Sequence, residues 1–178
     1  MMSLLLLVTA LAVVVLIAVV VTALPRGRRR NARRSGTALL VLVMLYAAVL
    51  IGTSVSSRPR TLRGGEWKCF DDWCVTLSSV APAPSGRELS LAVRNAGRGR
   101  VQRPDAPHAY LELVGRARIE LHPAGLDQQL AAGQTAEVTC PIAWTGTGRL
   151  VVTEGGWPSR FVIGDENTAW HARTGWNL

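Results

Sequence analysis

The first part of the chain consists of two long apolar stretches separated by a short basic one. Residues 4–24 and 37–55 contain no charged side chain. A bilayer core about 30 Å thick is crossed by about 20 apolar helical residues. In lipid a helix satisfies every backbone hydrogen bond, so stretches rich in Val and Ile are also predicted to be helical. The pattern predicts a transmembrane helical hairpin over 1–55, with spans at 4–24 and 37–55 and a loop at 25–36.

A cleaved signal peptide is the alternative for the first apolar stretch. Signal peptides carry a basic segment before an apolar core of about 7–15 residues. Here residues 1–3 contain no Lys or Arg, and the apolar stretch is longer than such a core. We therefore predict a retained helix, with cleavage after Ala23 as the alternative interpretation.

From residue 67 onward, apolar and polar positions alternate with a period of two. Trp73, Val75 and Leu77, for example, are separated by a cysteine and a threonine. Alternation of this kind is typical of strands with one buried face. It recurs at 89–93, 111–113, 119–121, 136–144, 150–152 and 161–163. Turns containing Gly and Pro separate these stretches. They predict an all-β antiparallel sandwich of about seven strands over 67–178, after a tether at 56–66.

The distribution of charge changes the meaning of the formal net charge of +8. Residues 1–64 carry nine arginines and no acidic residue. Residues 65–178 carry eleven Lys and Arg against twelve Asp and Glu, a formal charge of −1. Because the basic surplus belongs to the membrane-associated part, it does not indicate nucleic-acid binding. We predict no nucleic-acid partner.

The arginines between the two apolar stretches predict the orientation in the membrane. Short loops rich in Lys and Arg stay on the cytoplasmic side, although Arg58, Arg60, Arg63 and Lys68 follow the second span. The prediction is a two-pass protein of the cell membrane, with its N-terminus and C-terminal domain extracytoplasmic. The loop is also predicted to contact anionic lipid, with docking of a cytoplasmic partner as the alternative. Its arginines are Arg26, Arg28, Arg29, Arg30, Arg33 and Arg34.

Three cysteines in an extracytoplasmic domain predict one disulfide and one remaining thiol. If one unbroken strand runs through 69–77, Cys69 lies on its core-facing side. Cys140 lies on the core-facing side of the later strand predicted at 136–144. We therefore predict a Cys69–Cys140 bridge, with Cys74 free or an alternative partner. A Cys69–Cys74 bridge requires a turn between the two residues, because extended chain separates their Cα atoms by more than about 7 Å.

The candidate metal ligands are few and separated in sequence. No paired Cys or His spacing indicates zinc. Adjacent aspartates before a strand are predicted chiefly to hydrogen-bond turn backbone. A less favoured hypothesis is a calcium site, since carboxylate oxygens are the ligands that calcium prefers. Its ligands would be Asp71, Asp72, Asp165 and Glu166. We predict no metal site as the main interpretation and no cofactor.

An enzyme is not indicated either. His108, His122 and His171 have no recognisable catalytic triad context. Three late tryptophans offer either an exposed aromatic patch or, as the favoured interpretation, packing at the end of the sandwich. These are Trp157, Trp170 and Trp176.

Three segments resemble a family of uncharacterised bacterial proteins. They are FDDWCVTL at 70–77, RVQRPDAPHAYLEL at 100–113 and FVIGDENTAWH at 161–171. Members of that family are membrane-anchored and extracytoplasmic, and carry Ser where this chain has Thr168. The resemblance implies an immunoglobulin-like β-sandwich and no known activity.

The predicted function is therefore a binding or structural module of the cell envelope. Its expected partners are membrane lipid and an envelope or membrane protein. One alternative is an accessory subunit of a larger membrane complex. A less favoured alternative is a calcium-dependent ligand-binding domain.

Overall fold

A computed structural model describes residues 2–23, 29–168 and 170–178 of the chain. The chain divides into two compact units. One, the helical unit, contains Met1–Ser57 and Trp157–His171; the other, the sandwich unit, contains Arg58–Gly156 and Ala172–Leu178.

The helical unit contains two helices, α1 (Met2–Ala23) and α2 (Arg29–Val55), which pack against each other. Among the described residues one helical stretch, Ala32–Val55, is long and apolar enough to cross a membrane. Within α1, the apolar segment whose side chains the structure describes is Leu7–Thr22, which is shorter than the about 20 residues that a bilayer core requires. The prediction of two transmembrane helices is therefore wrong, and the two-pass topology that depended on it is not supported.

The predicted basic loop is also partly helical. Helix α2 begins at Arg29, so Arg29, Arg30, Arg33 and Arg34 lie on its first turns. Arg26 and Arg28 lie outside the described residues. Arginine is a good helix former, and no Gly or Pro interrupts the stretch until Gly36, so the helix extends through it.

The second segment of the helical unit begins with a 3-10 turn at Trp157–Phe161, which is followed by a tight bend. The strand that the sequence pattern predicts around 161–163 does not form. Backbone hydrogen bonds join Asp165 N to Val162 O and Thr168 N to Asp165 O. Thr168 is buried, and its hydroxyl donates to Val162 O at 2.7 Å. These turn contacts occupy the backbone groups that a strand would have paired. Tyr46 of α2 donates a hydrogen bond to the carbonyl of Phe161.

The sandwich unit contains nine strands in two sheets. The five-stranded sheet has the order β1-β9-β8-β5-β6 and the four-stranded sheet the order β2-β3-β4-β7. Strands β1 and β9 pair in parallel, and the other strand pairs of the described residues are antiparallel. The strands are β1 (Thr61–Leu62), β2 (Lys68–Phe70), β3 (Trp73–Ala83), β4 (Gly86–Asn95), β5 (His108–Glu112), β6 (Arg118–Leu121), β7 (Thr135–Ile142), β8 (Arg149–Thr153) and β9 (Gly175–Asn177).

One hydrophobic core lies between the two sheets. The four-stranded sheet contributes alternate residues of β3, β4 and β7, including Trp73, Leu91 and Val138. The five-stranded sheet contributes Leu150 and Trp176 among others. Because both sheets bury one face in the same cluster, the unit is a β-sandwich. The all-β part of the predicted fold agrees with the structure, and its antiparallel pairing holds apart from the parallel pair of β1 and β9.

The strand order resembles that of immunoglobulin-like sandwiches in part. Strands β4 and β7 are neighbours in one sheet, and β9-β8-β5-β6 follow one another in the other. Immunoglobulin-like sandwiches place their B and E strands and their G, F and C strands in the same way. The connections from β4 to β5, from β6 to β7 and from β7 to β8 each cross between the sheets.

Candidate functional site

The first candidate feature is a disulfide-closed hairpin at the start of the sandwich. Strands β2 and β3 are antiparallel, with Phe70 opposite Trp73 and Cys69 opposite Cys74. Asp71 and Asp72 form the two-residue connection, and Asp71 has a φ of 51°. Aspartate tolerates this left-handed conformation better than most residues, which suits it to a tight hairpin. The register brings the Cα atoms of Cys69 and Cys74 to 3.9 Å, and the two cysteines form a disulfide.

The predicted Cys69–Cys140 bridge is therefore wrong. The prediction assumed one unbroken strand through 69–77, whereas the chain reverses direction at the two aspartates. Cys69 is exposed and Cys74 is fully buried. Cys140 remains a free, buried thiol in the core beside Val138 and Ile142. Burial raises the pKa of the Cys140 thiol. This cysteine is accordingly protected from thiol reagents by both burial and protonation.

The second aspartate of the hairpin has structural contacts. The Asp72 carboxylate accepts a hydrogen bond from Gln102 Nε2 at 2.8 Å, and its carbonyl accepts one from Ala96 N at 2.6 Å. Gly97 lies so close that an added Cβ would meet the Asp72 carboxylate at 3.0 Å. Beside it, fully buried Asn95 donates to the carbonyls of Arg100 and Leu130. Asp72 thus helps to close one end of the sandwich.

The four ligands of the less favoured calcium site are divided between the two units. Asp71 and Asp72 belong to the sandwich unit, whereas Asp165 and Glu166 belong to the helical unit. Asp165 uses its carboxylate locally, accepting a hydrogen bond from Asn167 N at 2.7 Å. Within the described residues no group of three or more His, Cys, Asp or Glu side chains is arranged to hold a metal ion.

A half-buried glutamate lies near other carboxylates of the sandwich. Glu154 Oε1 accepts a hydrogen bond from Asp105 N at 2.7 Å. Burial raises the pKa of Glu154, the hydrogen bond from Asp105 opposes the shift, and the negative charges of Asp105 and Asp71 add to it. This carboxylate is therefore destabilised in its ionised form by the fold.

A buried lysine links the two sheets. Lys68 is 7% exposed, and its Nζ donates to the carbonyls of Val152 at 2.8 Å and Thr174 at 3.0 Å. The ammonium group also lies 5.0 Å from the centre of the Phe70 ring. Because Lys68 lies in the four-stranded sheet and Val152 in the five-stranded one, this charge helps to tie the sheets together. In the sequence, Lys68 is distinguished only as a positive charge that follows the second predicted span.

The outer face of the five-stranded sheet carries a tyrosine surrounded by arginines. Tyr110 follows the core residue Ala109 on β5, so its side chain lies on the face opposite the core. The residue is only 5% exposed, and its hydroxyl is buried without a hydrogen-bond partner among the described residues. The guanidinium of Arg118 lies 4.7 Å from the centre of its ring. On the same face, Arg149 forms an ion pair with Glu112.

A third arginine completes this group, which we call the Tyr110 cluster: Tyr110, Arg118, Arg149 and Arg173. Arg173 Nη1 is buried and, in the part of the chain that the structure describes, has no hydrogen-bond partner. Burial raises the pKa of the Tyr110 hydroxyl, and the positive charges of Arg118, Arg173 and Arg149 act in the opposite direction. The cluster therefore combines a buried hydroxyl with several cationic groups.

The Tyr110 cluster is not recognisable in the sequence. Its arginines lie on β6, on β8 and just before β9, and only strand pairing brings them near β5. Glu112 of β5 is opposite both Arg118 and Arg149 in the register. The alternation at 108–112 was the available signal, because it places Tyr110 on the face of β5 away from the core.

The remaining candidate residues lie on different elements of the chain. His108 begins β5 and His122 follows β6, whereas His171 belongs to the helical unit. Trp176 is fully buried in the core, as the packing interpretation expected. Trp170 is 73% exposed, and the side chain of Trp157 lies outside the described part.

Comparisons with known proteins place few constraints on function. No family model matches the chain, and no curated protein matches its sequence. Among solved structures, the chain is similar to an uncharacterised β-sandwich protein from Clostridium difficile 630. The TM-score is 0.36 and the identity 9%, over 69% of this chain and 96% of the other. At this level of similarity the comparison carries no argument about function, and the resemblance drawn from the sequence motifs stays a prediction.

Proposed function

We propose that this chain is a membrane-anchored β-sandwich module that has a binding or structural role outside the cytoplasm. Its anchor is α2, and its sandwich unit is the part that meets other envelope components. The proposed role is not catalytic. Membrane lipid and an envelope or membrane protein are the proposed partners, and nucleic acid is not among them.

The anchor is supported by the length and surface of α2. The stretch Ala32–Val55 contains 24 residues, and only 6% of its most apolar window is buried in the protein. Leu40 and Met44 are each 63% exposed. A soluble protein rarely exposes so continuous an apolar surface, whereas a bilayer would cover it.

The orientation is supported by the positive charges at the N-terminal end of α2. Arg29, Arg30, Arg33 and Arg34 lie at its N-terminal end, and two further arginines precede them in the sequence. Positive charge next to a span favours the cytoplasmic side. A single span with this end inside carries the sandwich to the outer side.

The observation that carries the proposal is the disulfide between Cys69 and Cys74. Disulfides persist in oxidising compartments and are rare in the cytosol, where thiols are kept reduced. The exposed position of Cys69 would leave the bond open to cytosolic reductants. An extracytoplasmic sandwich is therefore the location that suits this hairpin.

The test is thiol labelling of intact cells with a membrane-impermeant reagent, before and after reduction, with the labelled cysteines identified by mass spectrometry. We expect Cys69 to react only after reduction, without opening the membrane. Cys140 should react only after unfolding, which makes it an internal control for an intact core. Labelling of Cys69 that requires opening of the membrane but no reductant would contradict the proposal.

A further inference from the structure

Two buried donor groups of the Tyr110 cluster lack an acceptor. The hydroxyl of Tyr110 and Nη1 of Arg173 are both buried with no hydrogen-bond partner in the described residues. Buried polar groups in folded proteins are almost always paired, so an unpaired one calls for a ligand or another explanation. An arginine donates only, and a tyrosine hydroxyl can donate. The missing partner is therefore a group that supplies acceptor oxygens.

The charge around Tyr110 favours an anionic partner. Arg118, Arg149 and Arg173 are positive, whereas Glu112 and Glu120 are negative. Glu112 already pairs with Arg149. Glu120 is opposite Tyr110 in the register and is exposed to solvent. The three arginines and two glutamates together carry one excess positive charge. This charge and the two buried donors favour a compact anion over a neutral ligand.

Arginine side chains are also chemically suited to oxyanions. A guanidinium presents its N–H donors in a planar fork that matches a carboxylate or a phosphate. The contact between Arg118 and the Tyr110 ring, at 4.7 Å, limits the orientations of this guanidinium. The side chains of Arg149 and Glu112 are only 19% and 20% exposed, so their ion pair is itself shielded from water. Low exposure strengthens the interaction of such groups with an anion.

The other unpaired buried donors of the described residues do not form a comparable group. Trp73 Nε1 and Trp144 Nε1 are buried single donors of neutral side chains. Arg94 also has an unpaired Nε, but its guanidinium lies 4.5 Å from the centre of the Trp67 ring. The Tyr110 cluster differs from these in combining unpaired donors with additional arginines.

We propose that the Tyr110 cluster binds a compact oxyanion, the phosphoryl or carboxylate group of an envelope component. Tyr110 and Arg173 supply the buried donors, and Arg118 and Arg149 supply the surrounding positive charge. The inference rests on the proposed binding role and specifies its ligand chemistry.

The first experiment uses the full chain in an uncharged detergent. Inorganic phosphate and acetate are titrated separately at constant ionic strength with chloride, and binding is measured by calorimetry and by thermal unfolding. We expect saturable binding of at least one of the two anions, with a rise in the unfolding midpoint. Which anion binds distinguishes phosphoryl from carboxylate recognition. No saturable effect of either anion beyond that of chloride would overturn the proposal.

Two variants test the assigned donors. Arg173→Gln removes the charge, and we expect it to weaken binding by about tenfold or more, as for loss of a charged hydrogen bond. Tyr110→Phe keeps the ring and its contact with Arg118, and we expect a loss of roughly threefold to tenfold. If Arg173→Gln does not fold, Tyr110→Phe alone decides. Unchanged affinity in the folded variants would overturn the assignment.

A matched control is Arg103→Gln. Arg103 is also paired with a carboxylate, Asp127, at 2.6 Å, but it is exposed and does not belong to the cluster. We expect this variant to bind as the unaltered chain does. An equal loss of affinity in Arg103→Gln would show nonspecific attraction and would also overturn the proposal.

A further measurement distinguishes a lipid headgroup from a free anion. Phosphatidylglycerol added to the micelles competes with inorganic phosphate if a headgroup is the ligand, and leaves phosphate binding unchanged if the ligand is a free anion. None of these measurements depends on membrane orientation. Failure of anion binding is therefore separate from failure of the thiol-labelling test.

Discussion

Helix α2 and the sandwich use similar apolar side chains in opposite ways. Leu40 and Met44 of α2 are each 63% exposed, whereas Leu89 and Leu91 of β4 are fully buried. In the sandwich, apolar residues alternate with polar ones, so one face of each strand can enter a core. In α2, apolar residues surround the helix, and lipid is the medium that would cover them. The number of apolar residues in a segment therefore does not show what the segment packs against. The spacing of those residues along the chain does.

The strongest test of this comparison is truncation of one leucine in each region. Leu91→Ala should lower the free energy of unfolding of the sandwich by about 2–5 kcal/mol, because it leaves a cavity in a closed core. Leu40→Ala should change the stability of the sandwich by less than about 0.5 kcal/mol, as is usual for substitutions outside the core. Urea unfolding in detergent, followed by tryptophan fluorescence, measures both. Equal losses would show that α2 is part of the sandwich core.

Lys68 is the charged exception inside the sandwich. Lys68→Met should lower the free energy of unfolding by roughly 2–3 kcal/mol, because it leaves the carbonyls of Val152 and Thr174 without the ammonium donor. Arg60→Met, which breaks a more exposed ion pair with Glu66, is the control. Its expected loss is much smaller, because exposed ion pairs contribute little to stability. Denaturant unfolding measures both variants. Equal losses in the free energy of unfolding would mean that the buried ammonium stabilises the sandwich no more than an exposed ion pair does.

The disulfide test concerns only the sandwich. Cys69→Ser should cost about 2 kcal/mol, because the bridge closes a short loop, and reduction of the unaltered chain should have a similar effect. Cys140→Ala should leave the bond between Cys69 and Cys74 intact in mass spectrometry. A bridge lost on changing Cys140 would contradict the observed pairing.

The smallest expected effect concerns the half-buried Glu154. Its pKa is raised in the folded state, so folding is disfavoured most at neutral pH, where the carboxylate is ionised in both states. As the pH falls through the raised pKa toward the ordinary value of 4.5, the folded state takes up a proton first and stability increases. Glu154→Gln should therefore stabilise the sandwich at pH 7, by less than about 1 kcal/mol because the group is partly screened by solvent.

The stabilisation by Glu154→Gln should disappear below pH 4.5. Unfolding curves at several pH values measure the difference, with Glu137→Gln on the exposed side of β7 as the matched control. A stabilisation that grows as the pH falls would have the wrong sign and would refute the interpretation.

Much of the sandwich was predictable because it follows a local rule. The alternation of Trp73, Val75 and Leu77 is present in the sequence, and the same residues enter the core. The hairpin between Cys69 and Cys74 was not predictable in this way, because the apolar and polar pattern continues through a turn of only two residues. One reversal of the chain changed the face of Cys69 and with it the disulfide partner.

The sequence alone determined the class of each region: apolar stretches before residue 56 and a largely antiparallel all-β domain after them, although β1 (Thr61–Leu62) lies within the predicted tether. These follow from residue period and charge distribution, which are properties of neighbouring residues. Tertiary structure decided which cysteines pair and where Tyr110 meets its arginines. Those features depend on the turn between β2 and β3 and on the register between strands far apart in the chain. Arg118, Arg149 and Arg173 meet Tyr110 only because β5, β6, β8 and β9 share one sheet.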